Sequence, residues 1–347
     1  MFFASDNCGP AHPSVMQAVM DANTGYQPSY GDDTLMEDVR TRLRALFEAP
    51  EAAVYLVATG TAANALALAT LADPWQTVFC TPKAHIHCDE CHAPEFYTGG
   101  SKLTLVGEGD KMTADGLRAA IEAWVRYDVH VSQRGPVALT QATEMGHLYT
   151  LEELAALSAV ARDYGLPVHM DGARFANAVA AMGCSPAEMT WKAGIDAVSF
   201  GASKNGCLGV EAVIFFDPRH AWEFELRRKR GAHLFSKHRY LSAQMQGYLA
   251  GETWMHNARA ANAKGARLAA GLREVPGAVL LNDPQVNMIF ATLPRATHAR
   301  LHAAGAVYGL AGPLEGDDPD EPLPMRLVCD WSIPDAEIDS FLAIARG

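Results

Sequence analysis

The sequence lacks an excess of basic residues, a long apolar run and a cysteine framework. Lysine and arginine total 28 against 40 aspartates and glutamates, which gives a formal net charge of −12 over 347 residues. Because nucleic-acid binding needs a basic face, this balance argues against a nucleic-acid partner. The longest largely apolar run, Ala62–Ala72, is far shorter than the roughly 20 residues that cross a bilayer, so we expect no membrane segment.

Cysteine is scarce and scattered. Seven cysteines in 347 residues form an odd, sparse set that does not suit a disulfide framework. The first ten residues, MFFASDNCGP, have neither the basic start nor the long apolar core of a signal peptide. We therefore expect a cytoplasmic protein.

Short apolar runs alternate with amphipathic segments through most of the chain, a pattern typical of an α/β fold. Residues 53–71 run from an apolar strand through a Thr-Gly-Thr turn into an Ala/Leu-rich helix. The other main predicted strands cover 77–81, 102–107, 136–141, 166–171, 196–204 and 210–216, and the other main predicted helices cover 35–47, 115–126, 151–164 and 175–182. Beyond residue 250 the pattern changes to a long Ala-rich helix at 256–272, strands at 286–293 and 325–331, a Pro/Gly/Asp-rich loop at 312–324, and helices near 297–304 and 335–346. We expect a large α/β domain over residues 1–250 and a smaller α+β domain over residues 251–347.

Residues 83–92, KAHIHCDECH, concentrate side chains that bind transition metals. Cys88 and Cys91 form one C-x-x-C pair, but no second pair follows at the spacing of a zinc site. A local zinc site that adds His85 and His87 to the two cysteines is an alternative that this spacing disfavours. We expect no metal.

Three other segments each contain a turn or a side chain that could contact a different part of one ligand. Ala58–Asn64, ATGTAAN, is a Gly-containing turn between an apolar strand and a helix, where backbone N–H groups and the helix dipole suit a phosphate. Asp171 ends an apolar strand, where α/β sheets bind ligands, although it would serve equally well as a helix N-cap. Lys204 follows another strand among small residues, although such lysines are usually only solvated. A phosphate cradle, a carboxylate and a lysine are together what pyridoxal 5'-phosphate needs.

Six motifs then occur in the order of a known family: YGDD (30–33), TGTAAN (59–64), AHIHCDE (84–90), DGAR (171–174), SKNG (203–206) and MRLVCDW (325–331). On these motifs the chain resembles, over essentially its whole length, the threonine aldolases of the β-eliminating lyase group. DECHAPEF, QATEMG and RRKRGAHLFSK are especially similar to the low-specificity L-threonine aldolase and phenylserine aldolase branch. The resemblance implies a PLP-dependent transferase-like α/β fold (aspartate aminotransferase, fold type I) with a mixed, mainly parallel sheet. It also implies a homotetramer, a dimer of dimers with sites at the subunit interface.

The resemblance further implies a role for each matching residue. For the cofactor, Lys204 is implied to be the Schiff-base lysine, Asp171 the partner of the pyridine nitrogen, and Gly60 and Thr61 the phosphate cradle. Arg174 is implied to contact both cofactor and substrate, and Ser5 and Arg326 to bind the substrate carboxylate. Tyr30 is implied to belong to a partner's site, and Arg228 and Lys229 to contact a neighbour's phosphate. A guanidinium suits a carboxylate because it can donate two parallel hydrogen bonds. A surface position is the ordinary alternative for Arg326, and a solvated helix end for Arg228 and Lys229.

The implied reaction is retro-aldol cleavage of an L-β-hydroxy-α-amino acid, such as threonine, allo-threonine or a phenylserine, to glycine and an aldehyde. His85 matches a histidine over the cofactor ring, so it is both a stacking platform and a candidate base, with Glu90 as its support. Glu144 replaces the histidine that many members carry, and is either a second candidate base or a supporting residue. β-Elimination, transamination and racemisation on the same cofactor stay open, and a metal-binding enzyme is a weaker alternative. The resemblance implies no role for His87, Cys88, Cys91 or His92.

Overall fold

A computed structural model describes residues 1–347 as two β-sheets surrounded by helices. The strands are β1 (Ala53–Val57), β2 (Gln76–Cys80), β3 (Lys102–Leu105), β4 (Gln133–Thr140), β5 (Val168–Gly172), β6 (Ala197–Gly201), β7 (Glu211–Phe215), β8 (Val279–Leu280), β9 (Met288–Pro294), β10 (Gly309–Leu310) and β11 (Pro322–Val328). The helices are α1 (Pro13–Asp21), α2 (Thr34–Leu46), α3 (Gly60–Leu71), α4 (His85–Cys88), α5 (Ala93–Thr98), α6 (Ala114–Glu122), α7 (Leu151–Asp163), α8 (Phe175–Met182), α9 (Pro186–Met189), α10 (Ala221–Arg230), α11 (Arg239–Leu249), α12 (Thr253–Leu272), α13 (Arg295–Ala303) and α14 (Asp335–Arg346).

The first sheet has seven strands in the order β1-β7-β6-β5-β4-β2-β3. The pairs among β2 to β6 are parallel, and β7 runs antiparallel to both of its neighbours. Strands β1, β5, β6 and β7 are buried along their whole length, as their continuous apolar runs require when helices cover both faces. The predicted α/β architecture with a mixed, mainly parallel sheet is confirmed.

Local sequence signals fix several helix starts. Thr150 and Glu153 form a capping box at the start of α7, where each side chain accepts a hydrogen bond from the other residue's backbone N–H. Thr59 caps α3 by accepting a hydrogen bond from the N–H of Ala62. This cap fixes the turn between β1 and α3.

Two segments end earlier than the sequence predicts. The strand predicted over 196–204 stops at Gly201, and Ser203–Asn205 form a 3₁₀ turn closed by the glycine at 206, whose φ is +116°. The loop predicted over 312–324 stops before Pro322, because β11 begins there and pairs antiparallel with β9. The turn at 203–205 matters for function, since it contains Lys204.

The second sheet has the order β10-β11-β9-β8 and is antiparallel throughout. It encloses a separate apolar cluster with α12, α13 and α14, and Phe3 from the start of the chain belongs to this cluster. The division at residue 250 stays a prediction, with the first residues of the chain packed beside the second sheet. No helix of the chain has both the length and the apolar character needed to cross a membrane.

Candidate active site

One edge of the first sheet gathers the segments that the sequence singled out. The carboxyl ends of parallel strands meet at one edge, and ligands of α/β sheets bind there. Asp171 on β5 stands beside Thr140 of β4 and Ser199 of β6 in register. The turn before α3, the start of α4, and the turn carrying Lys204 follow β1, β2 and β6 at the same edge.

A cavity of about 450 Å³ opens at this edge. Its lining residues are Asn7, Ala58, Thr59, Gly60, Thr61, Asn64, His85, Asp89, Thr140, Ala142, Glu144, Asp171, Ala173, Arg174, Ser203, Lys204, Leu208, Gly209 and Glu211. The structure therefore brings together seven predicted site residues: Gly60, Thr61, His85, Glu144, Asp171, Arg174 and Lys204.

The N-terminus of α3 forms one wall of the cavity. Because a helix leaves its first N–H groups without helical partners, those of Gly60 and Thr61 are available to a ligand, while the N–H of Ala62 is bonded to Thr59. A Cβ added at Gly60 would meet nothing within 4 Å, so the space in front of this turn is open. The arrangement is suited to an anion such as a phosphate.

Asp171 lies at the centre of a buried hydrogen-bond network. Its Oδ1 accepts from the N–H of Ala173 at 2.9 Å, and its Oδ2 accepts from Asn64 Nδ2 at 2.8 Å. Asn64 Nδ2 also donates to Glu90 Oε1 at 2.9 Å, and Glu90 Oε1 lies 2.8 Å from His85 Nδ1. The N-cap of α8 is Arg174, so the alternative that Asp171 caps this helix is wrong; Asp171 bonds the preceding turn and lines the cavity.

Lys204 supplies an amine to the cavity. The pKa of Lys204 is lowered first by the positive charge of Arg174 and then by burial, against the opposing effect of Asp6 and Asp171. An amine with a lowered pKa is more often neutral and therefore a better nucleophile toward a carbonyl.

The turn that carries Lys204 is firmly anchored. Asn205 Nδ2 donates to Tyr248 Oη and to the carbonyl oxygen of Trp254, each at 2.7 Å. Asn257 Nδ2 donates to the carbonyl oxygen of Asn205 at 2.9 Å. These buried bonds hold the lysine's backbone in one position.

Glu144 lies beside His85. Its Oε1 accepts from the backbone N–H of His85 at 2.7 Å and from Thr140 Oγ1 at 2.9 Å, whereas its Oε2 is buried without a partner. Burial, and then the negative charge of Asp171, raise the pKa of Glu144 to about 7. The carboxyl group can therefore exchange a proton near neutral pH.

Arg174 faces the cavity but is already paired. Its Nε and Nη2 donate to the two oxygens of buried Asp6 at 2.7 and 2.8 Å, so one edge of the guanidinium is not free for a ligand. Arg326 is half-buried and donates to the carbonyl oxygen of Ala4 at 3.2 Å, beside Ser5. Burial, and then the positive charge of Arg174, lower the pKa of Arg326.

Five predicted residues do not line the cavity of their own chain: Ser5 and Arg326, described above, and Arg228, Lys229 and Tyr30. Arg228 is buried, donates to the carbonyl oxygen of Leu56 at 3.3 Å and lies over the ring of Tyr55, so a solvated helix end is the wrong description for it. Lys229 is exposed and its Nζ lies 4.6 Å from the ring centroid of Tyr30. Tyr30 and Lys229 thus form one surface feature.

The metal-binding residue types of 83–92 do not converge. His87, Cys88, Cys91 and His92 are all exposed. The ligand atoms that do lie within 4.8 Å of one another belong to His85, Glu90 and Asp171. Hydrogen bonds among these three residues and Asn64 already use those atoms.

Sequence reasoning missed three residues of the site. Asp6 pairs with Arg174 across 168 positions of sequence, a distance at which spacing carries no signal. Asn64 belongs to the GTAAN motif and lies one helical turn after Gly60, which could have placed it beside the cradle. Glu211 is a buried carboxylate at the start of β7 and lines the cavity. It follows an apparently apolar turn, so the sequence did not indicate that it belongs to the site.

Comparison with known proteins identifies the family and the fold of the chain. Residues 3–295 match the family model described as beta-eliminating lyase. The chain is 40% identical to a low-specificity L-threonine aldolase of Pseudomonas aeruginosa and 38% identical to one of Pseudomonas sp. strain NCIMB 10558, in each case over 99% of this chain and 96% of the relative.

The solved structure of a Leishmania major threonine aldolase superimposes with a TM-score of 0.92 at 25% identity, covering 99% of this chain and 98% of that one. This agreement confirms the fold class expected from the motifs. The chain is accordingly a member of the β-eliminating lyase family and of its threonine aldolase group.

Proposed function

We propose that this chain is a pyridoxal phosphate-dependent carbon–carbon lyase that cleaves L-β-hydroxy-α-amino acids to glycine and an aldehyde. The observation that carries the proposal is the convergence of Lys204, Asp171 and the α3 N-terminus on one cavity. The relatives named low-specificity L-threonine aldolase support threonine and allo-threonine as substrates. The similarity of several segments to phenylserine aldolases extends the proposal to bulkier substituents.

The cavity residues fit the cofactor. The open space before Gly60 and the free N–H groups of α3 suit its phosphate, and each oxygen of Asp171 can accept a second hydrogen bond, from the pyridine nitrogen. The anchored Lys204 would hold the aldehyde carbon, and Arg174 lines the same cavity, where it could contact cofactor and substrate. When bound, pyridoxal phosphate supplies an electron sink for the electron pair released at the substrate's Cα.

Two guanidinium groups would hold the substrate carboxylate. Asp6 occupies the Nε edge of Arg174, so Arg174 offers only its remaining N–H groups, and Arg326 supplies the rest with Ser5 beside it. A fixed carboxylate determines which bond at Cα stands perpendicular to the cofactor ring. Positioning of this kind selects Cα–Cβ cleavage over loss of the Cα proton.

His85 is the base that the geometry favours. Its Nδ1 is engaged by Glu90, which leaves Nε2 as the ring nitrogen available to the substrate's β-hydroxyl, and its side chain is 37% exposed toward the cavity. Glu144 holds the backbone of His85 through Oε1, while its Oε2 is buried. We therefore propose that Glu144 holds the backbone of His85 in place and can take up or release a proton beside it.

The cleavage redistributes only the substrate's own atoms. The β-hydroxyl proton passes to His85, the Cα–Cβ bond breaks, and the β-carbon leaves as the carbonyl carbon of an aldehyde. A proton then returns to Cα to give glycine, so no oxidant and no further reactant is consumed.

A homotetramer with sites at the subunit interface belongs to the same proposal. Tyr30 and Lys229 are exposed, lie against each other and do not line their own cavity, which supports a contact with a neighbouring subunit's site. The seven cysteines are all unpaired, which supports a cytoplasmic location.

Reconstitution with pyridoxal phosphate tests the function. Purified protein is mixed with the cofactor, and aldehyde and glycine are measured from threonine, allo-threonine and phenylserine. We expect Lys204→Ala to lose both the visible absorbance of bound cofactor and the release of aldehyde. The matched control is Lys192→Ala, which removes a surface lysine paired with Glu48 and should change neither.

A further inference from the structure

Glu211 is a buried carboxylate that lines the cavity and takes no part in the cleavage described above. It is 6% exposed and is the first residue of β7. Because β7 lies between β1 and β6 and runs antiparallel to both, its first residue stands at the edge of the sheet where those two strands end. Glu211 is in register with Val57 on β1 and with Gly201 on β6. It therefore stands between the turn that leads into α3 and the turn that carries Lys204.

The carboxyl group of Glu211 is anchored on the side of the lysine turn. Its Oε2 accepts a hydrogen bond from the backbone N–H of Ala202 at 2.7 Å. The next residue, Ser203, hydrogen-bonds the same carboxyl group, and its Oγ accepts from the N–H of Val210 at 3.1 Å. These contacts fix the carboxyl group and leave Oε1 as the oxygen that the Ala202 amide does not hold.

The phosphate cradle lies on the other side of Glu211. Gly60 and Thr61 follow the end of β1 and line the same cavity as Glu211. A Cβ added at Gly209 would lie 3.4 Å from the carbonyl oxygen of Ala58, so the segment before β7 runs directly beside the segment that leads into the cradle. A phosphate held by the N-terminus of α3 would therefore share one end of the cavity with the Glu211 carboxyl group.

An ionised Glu211 is incompatible with such a neighbour. A phosphate group carries about two negative charges at neutral pH, and two anions repel each other strongly where water is excluded. In the free protein, the charge of Lys204 favours the ionised carboxylate. Once its nitrogen is bonded to the cofactor, Lys204 no longer offers a free ammonium group. A bound proton is then the simplest way for Glu211 to lose its charge.

We propose that Glu211 is a cofactor-binding residue that acts as an uncharged carboxylic acid, which takes up a proton when pyridoxal phosphate enters the cavity and donates a hydrogen bond through Oε1 to the phosphate. The proton comes from solvent, and no other bond of Glu211 forms or breaks. A protonated carboxyl group can donate one hydrogen bond and still accept another, here from Ala202. This inference rests on the proposed function for the identity of the cofactor.

Several titratable groups face Glu211 from the surrounding elements. They are Lys204 after β6, Cys207 before β7, Tyr248 on α11 and Arg228 on α10, with His85, Glu144, Asp171 and Arg174 in the same cavity. Burial is the largest influence on Glu211 and raises its pKa to about 7, against the lowering effects of the hydrogen bonds from Ser203 and Ala202 and of the charge of Lys204. At about pH 8 the free protein therefore holds Glu211 mostly ionised. Proton uptake on cofactor binding is measurable at that pH.

Calorimetry counts the protons. Pyridoxal phosphate is titrated into cofactor-free protein in two buffers of different ionisation enthalpy, and the difference in heat gives the number of protons taken up. At about pH 8 we expect wild type to take up about one proton more per cofactor than Glu211→Gln, whose side chain is uncharged throughout. The exposed Glu51→Gln is the control and should behave as wild type. Equal uptake by wild type and folded Glu211→Gln would overturn the inference.

Cofactor affinity separates an uncharged donor from an ionised or purely structural carboxylate. At about pH 6 we expect Glu211→Ala to raise the dissociation constant of pyridoxal phosphate about 10- to 100-fold, while Glu211→Gln, which still donates an N–H, stays near wild type. Pyridoxal, which lacks the phosphate, should bind wild type and Glu211→Ala equally. Tighter binding of pyridoxal phosphate by both variants at this pH would show that Glu211 is ionised in the holoenzyme, and equal losses for pyridoxal and pyridoxal phosphate would show a structural role. Either result would overturn the inference.

Infrared spectroscopy of the wild-type protein keeps the inference testable if the variants do not fold. Cofactor binding at about pH 8 should add the C=O band of a protonated carboxylic acid, which shifts in D₂O, and absence of this band would contradict the proposal. None of these measurements depends on turnover. Bound cofactor without cleavage of β-hydroxy-α-amino acids would overturn the proposed function alone, whereas cleavage without proton uptake at Glu211 would overturn this inference alone.

Discussion

Asp6 holds Arg174 through two parallel hydrogen bonds, of 2.7 and 2.8 Å, between the first turn of the chain and the end of β5. Burial alone would raise the pKa of Asp6, but the charge and hydrogen bonds of Arg174 outweigh it and hold that pKa below its usual value. Asn287 Nδ2 adds a third bond to Asp6 at 3.1 Å. One buried pair therefore links the N-terminal segment, the cavity and the second sheet.

Breaking this pair should destabilise the fold. We expect Asp6→Asn to lower the free energy of unfolding at pH 7 by about 3 kcal/mol, because it leaves a buried guanidinium without its counter-charge. Asp6 has a lowered pKa when folded, so its stabilisation is lost as the pH falls through that pKa. The difference in free energy of unfolding between wild type and Asp6→Asn should therefore become smaller at acidic pH.

Urea titrations at several pH values measure this effect. The control is Asp339→Asn, which breaks the exposed pair with Arg267 and should cost less than about 1 kcal/mol. Equal losses of unfolding free energy in the two variants would show that the buried pair stabilises the fold no more than an exposed pair does.

Glu211 should make stability fall as the pH rises. Burial raises the pKa of Glu211 to about 7 from 4.5, so between these values the folded protein binds a proton that the unfolded chain has released. We expect Glu211→Gln to gain stability relative to wild type across this window, by up to about 3 kcal/mol. Thermal unfolding of the cofactor-free protein at a series of pH values checks this, with exposed Glu51→Gln as a control that should show no such trend.

His85 and Glu144 can be separated by kinetics. We expect His85→Asn to lower kcat by about 10²- to 10⁴-fold, because it removes the group that takes the β-hydroxyl proton. Glu144→Gln should lower kcat only about tenfold, since glutamine still accepts from the backbone of His85 and from Thr140. The reverse order of the two losses would identify Glu144 as the base.

Lys229 should affect cofactor affinity from a neighbouring subunit. If its ammonium contacts that subunit's phosphate, Lys229→Ala will raise the dissociation constant of pyridoxal phosphate by about 5- to 30-fold, the value of one charge-assisted contact. Absorbance titration of the cofactor gives the constant, and sedimentation gives the assembly state. The exposed neighbour Arg230 supplies the control, and equal effects of Arg230→Ala and Lys229→Ala would point to general charge instead.

Patterns of short range were sufficient for most of the large sheet. Buried strands such as β1 and β7 have continuous apolar runs between turn residues, and the cap at Thr150 is read from a spacing of three residues. The bounds of helix α10 were not predicted, because it is charged on most positions and buries few side chains, so its hydrophobic periodicity is weak. Arg228 near the end of this helix is buried, whereas basic residues at a helix end are usually solvated.

The site was predictable where a residue acts from its own motif. Lys204, Asp171 and Gly60 lie at strand or helix ends that the sequence marks with small residues. The partners that orient them were not predictable, because the pairs Arg174–Asp6 and Asn64–Asp171 join distant segments that only the fold brings together. Burial could not be predicted either, because the local sequence does not show which carboxylates the fold encloses. Burial raises the pKa of Glu144 and that of Glu211.

Product identity from L-threonine tests the central claim most directly. The reconstituted wild-type protein is incubated with L-threonine, and glycine, acetaldehyde, ammonia and 2-oxobutyrate are measured together. The account predicts glycine and acetaldehyde in equal amounts, with both lost in Lys204→Ala. Ammonia and 2-oxobutyrate as the main products would contradict it, because they arise from β-elimination and leave the Cα–Cβ bond intact.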